Sequence, residues 1–180
     1  MAARDPGEAA GDQGHPAGIR PAERRDLAAI LEMIRELADY EHLAHAVVFD
    51  PTEMERHLFG PRPYAEVLVS EAILPGSVNS SCVGFALFFH SFSTFVGKPG
   101  IYLEDLYVRP SARRQGHGRR LLRAVAGLAR ARGCGRLEWS VLDWNQPAID
   151  FYHALGAIAL DDWTMFRLSA HALNACAGDC

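Results

Sequence analysis

The sequence predicts an α/β fold: a mixed, mostly antiparallel sheet with helices on both faces. Three apolar runs, 65–74, 82–92 and 101–108, follow one another with only turn residues between them, as an antiparallel meander does. Stretches of helical spacing stand before and after this block. The last run leads through a Gly-rich loop into a helix and then another strand, which is a crossover connection and makes the sheet mixed.

Along the chain, residues 1–16 are rich in Gly, Ala, Pro and charge and read as a disordered extension. Ile19 and Arg20, stopped by Pro21, read as a short first strand. Leu27, Ile30, Leu31, Ile34, Leu37 and Ala38 recur at helical spacing, with Asp26 as N-cap. Thr52-Glu53-Met54-Glu55 has the pattern of a capping box and opens a second helix that ends near Gly60. The three central strands follow, closed by Pro75-Gly76 after the first and by Pro110 after the third. Leu121, Leu122, Val125, Leu128 and Ala129 form a helical stripe that Gly133 terminates. Leu137 to Leu142 is expected as a strand, Pro147 to Leu155 as a helix and Trp163 to Leu168 as a last strand, with room for a short one at 157–160. The domain is expected over 17–170, with 171–180 as a tail.

A chain of 180 residues with 49% hydrophobic and 22% charged residues suits one globular domain. No apolar run approaches the roughly 20 residues of a membrane helix, and Met1-Ala-Ala-Arg-Asp-Pro-Gly-Glu lacks the apolar core of a secretory signal, so a cytoplasmic location is expected. The four cysteines show no C-x-x-C spacing; Cys82 and Cys134 read as small core residues. His42 and His45 lack a third ligand, and no metal is expected. Charge is uneven. Nine arginines and no carboxylate lie between Arg109 and Arg136 in a chain of net charge −4. A basic segment in an otherwise acidic protein suits an anionic ligand at one place and a cationic one elsewhere, although a solvated helix face would look the same.

The chemistry concentrates in Leu103 to Gly118, a strand, a Pro-broken turn and the loop Arg113-Arg114-Gln115-Gly116-His117-Gly118. Its glycines admit close backbone approach, and the helix it opens directs free N–H groups at an anion such as a pyrophosphate. Neither G-x-x-x-x-G-K-[ST] nor G-x-G-x-x-G is present, which weighs against a nucleotide triphosphatase or a dinucleotide fold. Glu104 and Asp105 stand at the strand end, where a base could act, or where Glu104 could simply pair with Arg109. Further on, Asn145 reads as an N-cap, Pro147 as a first-turn proline and Tyr152 as a half-buried core residue.

Together these two segments resemble a known family. Arg-x-x-Gly-x-Gly between strand and helix is similar to the acetyl-CoA pyrophosphate loop of the GNAT N-acetyltransferases, and Asn145-x-x-Ala148 followed by Phe151-Tyr152-x-x-x-Gly156 resembles a second GNAT pattern. Arg35 to Glu41, Tyr102 to Val108 and Trp144-Asn145 look like segments of the spermidine/spermine (diamine) acetyltransferase branch, in its order. The resemblance implies acetyl-CoA as co-substrate. Leu106, Tyr107 and Val108 would offer backbone groups to the pantetheine arm, with Asn145, Ala148 and Tyr152 beside it. Arg113, Arg114, Gln115, Gly116, His117, Gly118 and Arg119 would form the pyrophosphate loop. It further implies Glu104 as general base through water, Tyr152 as general acid, and Tyr40, Glu41, Glu104 and Glu138 as contacts to a diamine, a polyamine or a lysine-like amino acid. A homodimer is implied as well. Where polyamine-acetylating members carry an Asp before this strand, the present chain reads Ser93-Thr94-Phe95, which weighs against spermidine.

The residue types fit direct acyl transfer. A lysine-like amine, with a pKa of about 10.4, must lose a proton before it can attack a thioester, and a carboxylate is the natural acceptor. Acetylation of a protein N-terminus or lysine, or of an aminoglycoside, is the alternative within the class. Outside it stand an arginine-rich nucleic-acid-binding module and a non-catalytic acetyl-CoA sensor.

Overall fold

The computed structural model describes residues 15–16, 18–74 and 76–178; the expected extension at 1–16 lies almost entirely outside them. The described chain falls into two compact units that meet at Ser140/Val141.

The first unit carries a five-stranded sheet in the order β1 (Ile19–Pro21), β2 (Glu66–Ile73), β3 (Ser80–Ser93), β4 (Lys98–Val108), β5 (Leu137–Glu138). The first four are antiparallel, and β5 joins β4 in parallel through a crossover that contains α3 (His117–Ala131). Strand alternation sorts the side chains. Val67, Val69, Phe85, Leu87 and Tyr107 form one core with Ile30 and Met33 of α1 (Leu27–Tyr40) and Leu58 of α2 (Pro51–Phe59). Ser70, the alternate neighbour of Val69, instead meets His117 of α3, which places α3 over the opposite face. Phe85 and Phe88 are completely buried, each worth roughly 1.5–3 kcal/mol.

Several helix ends differ from expectation. The Asp26 carboxylate does not cap α1: Arg20 grips it at 2.6 and 2.9 Å, and it accepts the Glu23 N–H one turn earlier. Asp50, not Thr52, caps α2, accepting from the N–H groups of Thr52 and Glu53, with Pro51 in the first turn, where its missing N–H costs nothing. Cys82 and Cys134 are half-buried rather than core, and the Cys82 thiol points at Asp26 (3.6 Å).

The most consequential departure lies in β4. Leu103 pairs with Phe88 and Asp105 with Leu87, so Glu104 is an extra residue, a β-bulge. Past the bulge the alternation changes phase: Asp105 and Tyr107 lie on the α1 face, Leu106 and Val108 on the other. The expected strand 137–142 pairs only at Leu137 and Glu138. Beyond Tyr102, the β5 side of β4 therefore has no ladder partner among the described residues.

The second unit contains α4 (Gln146–His153) and α5 (Ala170–Ala177). No strand forms over 157–168 among the described residues. Trp163, Met165 and Phe166, expected in a strand, are exposed because no partner strand pairs with them. Most of the expected tail is helical.

Candidate functional site

The loop between β4 and α3 is built by its backbone. Arg113 is extended, Arg114 takes a left-handed φ of 61°, and Gly116 has φ 82° at the helix N-cap. A side chain at Gly116 would be strained by that φ and would bring a Cβ within 3.3 Å of the Arg120 guanidinium. The first turn of α3 then presents N–H groups that have no acceptor inside the helix, at the positive end of its dipole. Geometry and charge there fit a pyrophosphate.

Five of the nine arginines of the basic segment are committed to partners. Arg109 pairs with Glu32 and Glu36 of α1, not with Glu104. Arg132 holds Glu66, Arg136 holds Glu138 at 2.7 Å, and Arg120 bonds the Gln115 carbonyl and His117. The Arg113 guanidinium lies over the rings of Tyr40 (5.2 Å) and Tyr107 (5.7 Å), while its Nε donates to the Val108 carbonyl. This ties the loop to the end of α1. Arg114, Arg119, Arg123 and Arg130 are exposed and form no ion pair among the described residues.

Three carboxylates gather at the bulge. Glu104 is exposed and forms no ion pair among the described residues. Asp105 is largely enclosed; burial first, then repulsion from Glu104 and from Glu41, pushes its carboxyl up to about 7. Burial also raises the Glu41 carboxyl. The sequence presents Asp105, with Glu104, as a strand-end carboxylate where a base could act, and gives it no part in binding the amine. The signal that marks it, a bulge turning it toward the α1 face beside two like charges, exists only in the paired sheet. Of the residues expected to contact an amine, the fold brings Tyr40 to Arg113 and Glu41 to the field of Asp105, whereas Glu138 is occupied by Arg136. Leu106, Tyr107 and Val108 lie on the open edge of β4, where an extended chain could pair with their backbone. His117 is buried with its side chain turned inward, leaving its backbone in the loop.

In the second unit Asn145 caps α4, accepting the Ala148 N–H at 3.4 Å, and Tyr152 stands on the same helix, its ring 5.3 Å from that of Phe151. Among the described residues no three His, Cys, Asp or Glu side chains gather as a metal site requires, and no helix is long and apolar enough to cross a membrane.

The model of the acetyltransferase (GNAT) family matches residues 32–157. Thialysine N-epsilon-acetyltransferase of Bos taurus is 41% identical over 89% of this chain and 96% of its own length. L-Ornithine N5-acetyltransferase of Arabidopsis thaliana is 33% identical over 87% of this chain and 86% of its own. Among solved structures, an integron cassette protein from the mobile metagenome of V. cholerae has the same fold, with a TM-score of 0.70 and 22% identity over 89% of this chain and 97% of that one.

Proposed function

This chain belongs to the GNAT acetyltransferase family, and on that premise we propose that it moves an acetyl group from acetyl-CoA to the terminal primary amine of a small cationic molecule, a lysine-like amino acid before a diamine or polyamine. The observation that carries the substrate class is the carboxylate cluster of Glu41, Glu104 and Asp105. A carboxyl group held near 7 by burial and like charges lacks a cation, and an ammonium group placed beside it relieves both. The names of the two relatives, one acting on thialysine and one on ornithine, agree with an amino acid that bears a side-chain amine.

The co-substrate supplies an activated acetyl thioester, and the Arg113–Arg119 loop with the open edge of β4 supports its binding. Glu104, exposed and without an ion pair among the described residues, takes a proton from the incoming ammonium through water, which frees the nitrogen lone pair. The nitrogen–carbon bond forms and the carbon–sulfur bond breaks; the Tyr152 phenol gives the departing sulfur its proton, and the second proton shed by the new amide nitrogen restores the phenol through water. Asp105 and Glu41 hold the substrate's positive charge. The exposed Ile158, Trp163, Met165 and Phe166 support self-association as a homodimer, which sedimentation would test.

A panel of amines incubated with acetyl-CoA, with release of free thiol followed, tests the reading. Lysine-like amino acids and diamines should turn over well ahead of peptides and aminoglycosides. Preference for a protein N-terminus, or acetyl-CoA binding without turnover of any amine, would replace it.

A further inference from the structure

His117 opens α3 directly beneath the loop, and its side chain is only 5% exposed. Its Nδ1 lies 2.8 Å from the Oγ of Ser70, a fully buried residue of β2, and 2.9 Å from Nη2 of Arg120. A guanidinium can only donate, so Nδ1 must accept, and the ring proton resides on Nε2. The imidazole is thereby neutral, a form that burial and the Arg120 charge both favour. Arg120 in turn donates from Nη1 to the Gln115 carbonyl at 3.1 Å, and this same nitrogen underlies Gly116. A hydrogen-bonded chain thus runs from the sheet at Ser70 through His117 and Arg120 to the backbone just before the helix.

We propose that His117 is a positioning residue for acetyl-CoA: through Arg120 it draws the Gln115 carbonyl inward, so that the N–H groups around Gly116 face the pyrophosphate. The inference rests on the acetyl-CoA site proposed above. It assigns His117 no contact with the phosphates and makes Arg120, for all its charge, an internal strut.

Calorimetric titration of the full chain with acetyl-CoA tests this on His117→Leu, Arg120→Leu, the double variant and His117→Asn, whose amide oxygen can stand near the position of Nδ1. Losing a hydrogen bond to a charged group should weaken acetyl-CoA binding about tenfold in each Leu variant. The double variant should be no worse than either single one, since one chain is cut in both. His117→Asn should recover most of the loss, and in turnover the defect should appear in the KM for acetyl-CoA and not in that for the amine. If His117→Leu does not fold, Arg120→Leu and His117→Asn carry the comparison. Wild-type affinity in a folded His117→Leu, or additive losses in the double variant, would show that Arg120 serves without His117 and overturn the proposal. A wild-type chain that fails to bind acetyl-CoA would instead remove the site itself, and the strut with it.

Discussion

Asp105→Asn should stabilise this protein while weakening its grip on substrate. The carboxyl titrates near 7 in the fold against an ordinary 3.8, so the folded state binds its proton more tightly than the unfolded chain does. Stability from this group is therefore present at low pH and is lost as pH rises from about 4 to about 7, after which the penalty stays constant. The full shift corresponds to about 4 kcal/mol. Water reaching the partly open side chain reduces that, leaving a gain of about 2 kcal/mol at pH 8 for an amide of the same shape, or about 5 °C in Tm for a chain of this size. Thermal melts of wild type and variant between pH 4 and pH 8 measure it directly. The difference in Tm should grow through that interval and level off above 7, while the KM for a lysine-like amine rises about tenfold for loss of one charge-assisted contact. A variant equally or less stable at every pH, with an unchanged KM, would refute both the electrostatic account and the role in binding an ammonium.

Three further outcomes are expected. Gly116→Asp, which places a carboxylate and a strained φ at the helix N-terminus, should lower acetyl-CoA affinity at least about tenfold by calorimetry; unchanged affinity in a folded variant would discard the pyrophosphate loop. Glu104→Gln should cut the rate by ~10²–10⁴ near neutral pH and recover partly as rising pH deprotonates the amine in solution, and full activity at pH 7 would assign the proton transfer elsewhere. Tyr152→Phe should lower kcat and kcat/KM together with little change in Tm; loss of stability at full activity would mark the phenol as a packing residue.

Helix stripes and apolar runs carried enough signal to locate α1, α3 and the strands β2 to β4, because burial of a periodic face needs no knowledge of the partner. Caps were less legible. Asp50-Pro51 and Thr52-x-x-Glu55 are competing starts for the same helix, and only the bonds from Thr52 and Glu53 to Asp50 decide between them. The Trp163–Leu168 run has strand composition, yet a strand is a property of two segments, and no partner is supplied. At the site, the glycines, Glu104 and the basic loop were readable as residue types. The phase change at Glu104, the commitment of Arg113 to Tyr40 and Tyr107, and the inward turn of His117 were not, since each depends on contacts between segments far apart in sequence.

The bulge at Glu104 makes a slip of register and a substitution unequal events in this enzyme. Replacing Glu104 removes one carboxylate. Deleting it would keep Leu103 on Phe88 and Asp105 on Leu87 and so preserve every facing; taking it into a regular ladder opposite Leu87 would reverse the facing of every residue from Asp105 to Val108. Asp105 would turn from the α1 side to the α3 side, Tyr107 would leave the core it shares with Ile30 and Met33, and Arg113 would lose one of the two rings beneath it. The base, the counter-charge and the loop anchor proposed above are thus counted off from a single odd residue. Exchange or loss of Glu104 leaves that register intact, whereas a slip that closed the bulge with Glu104 in the ladder would disturb all three at once.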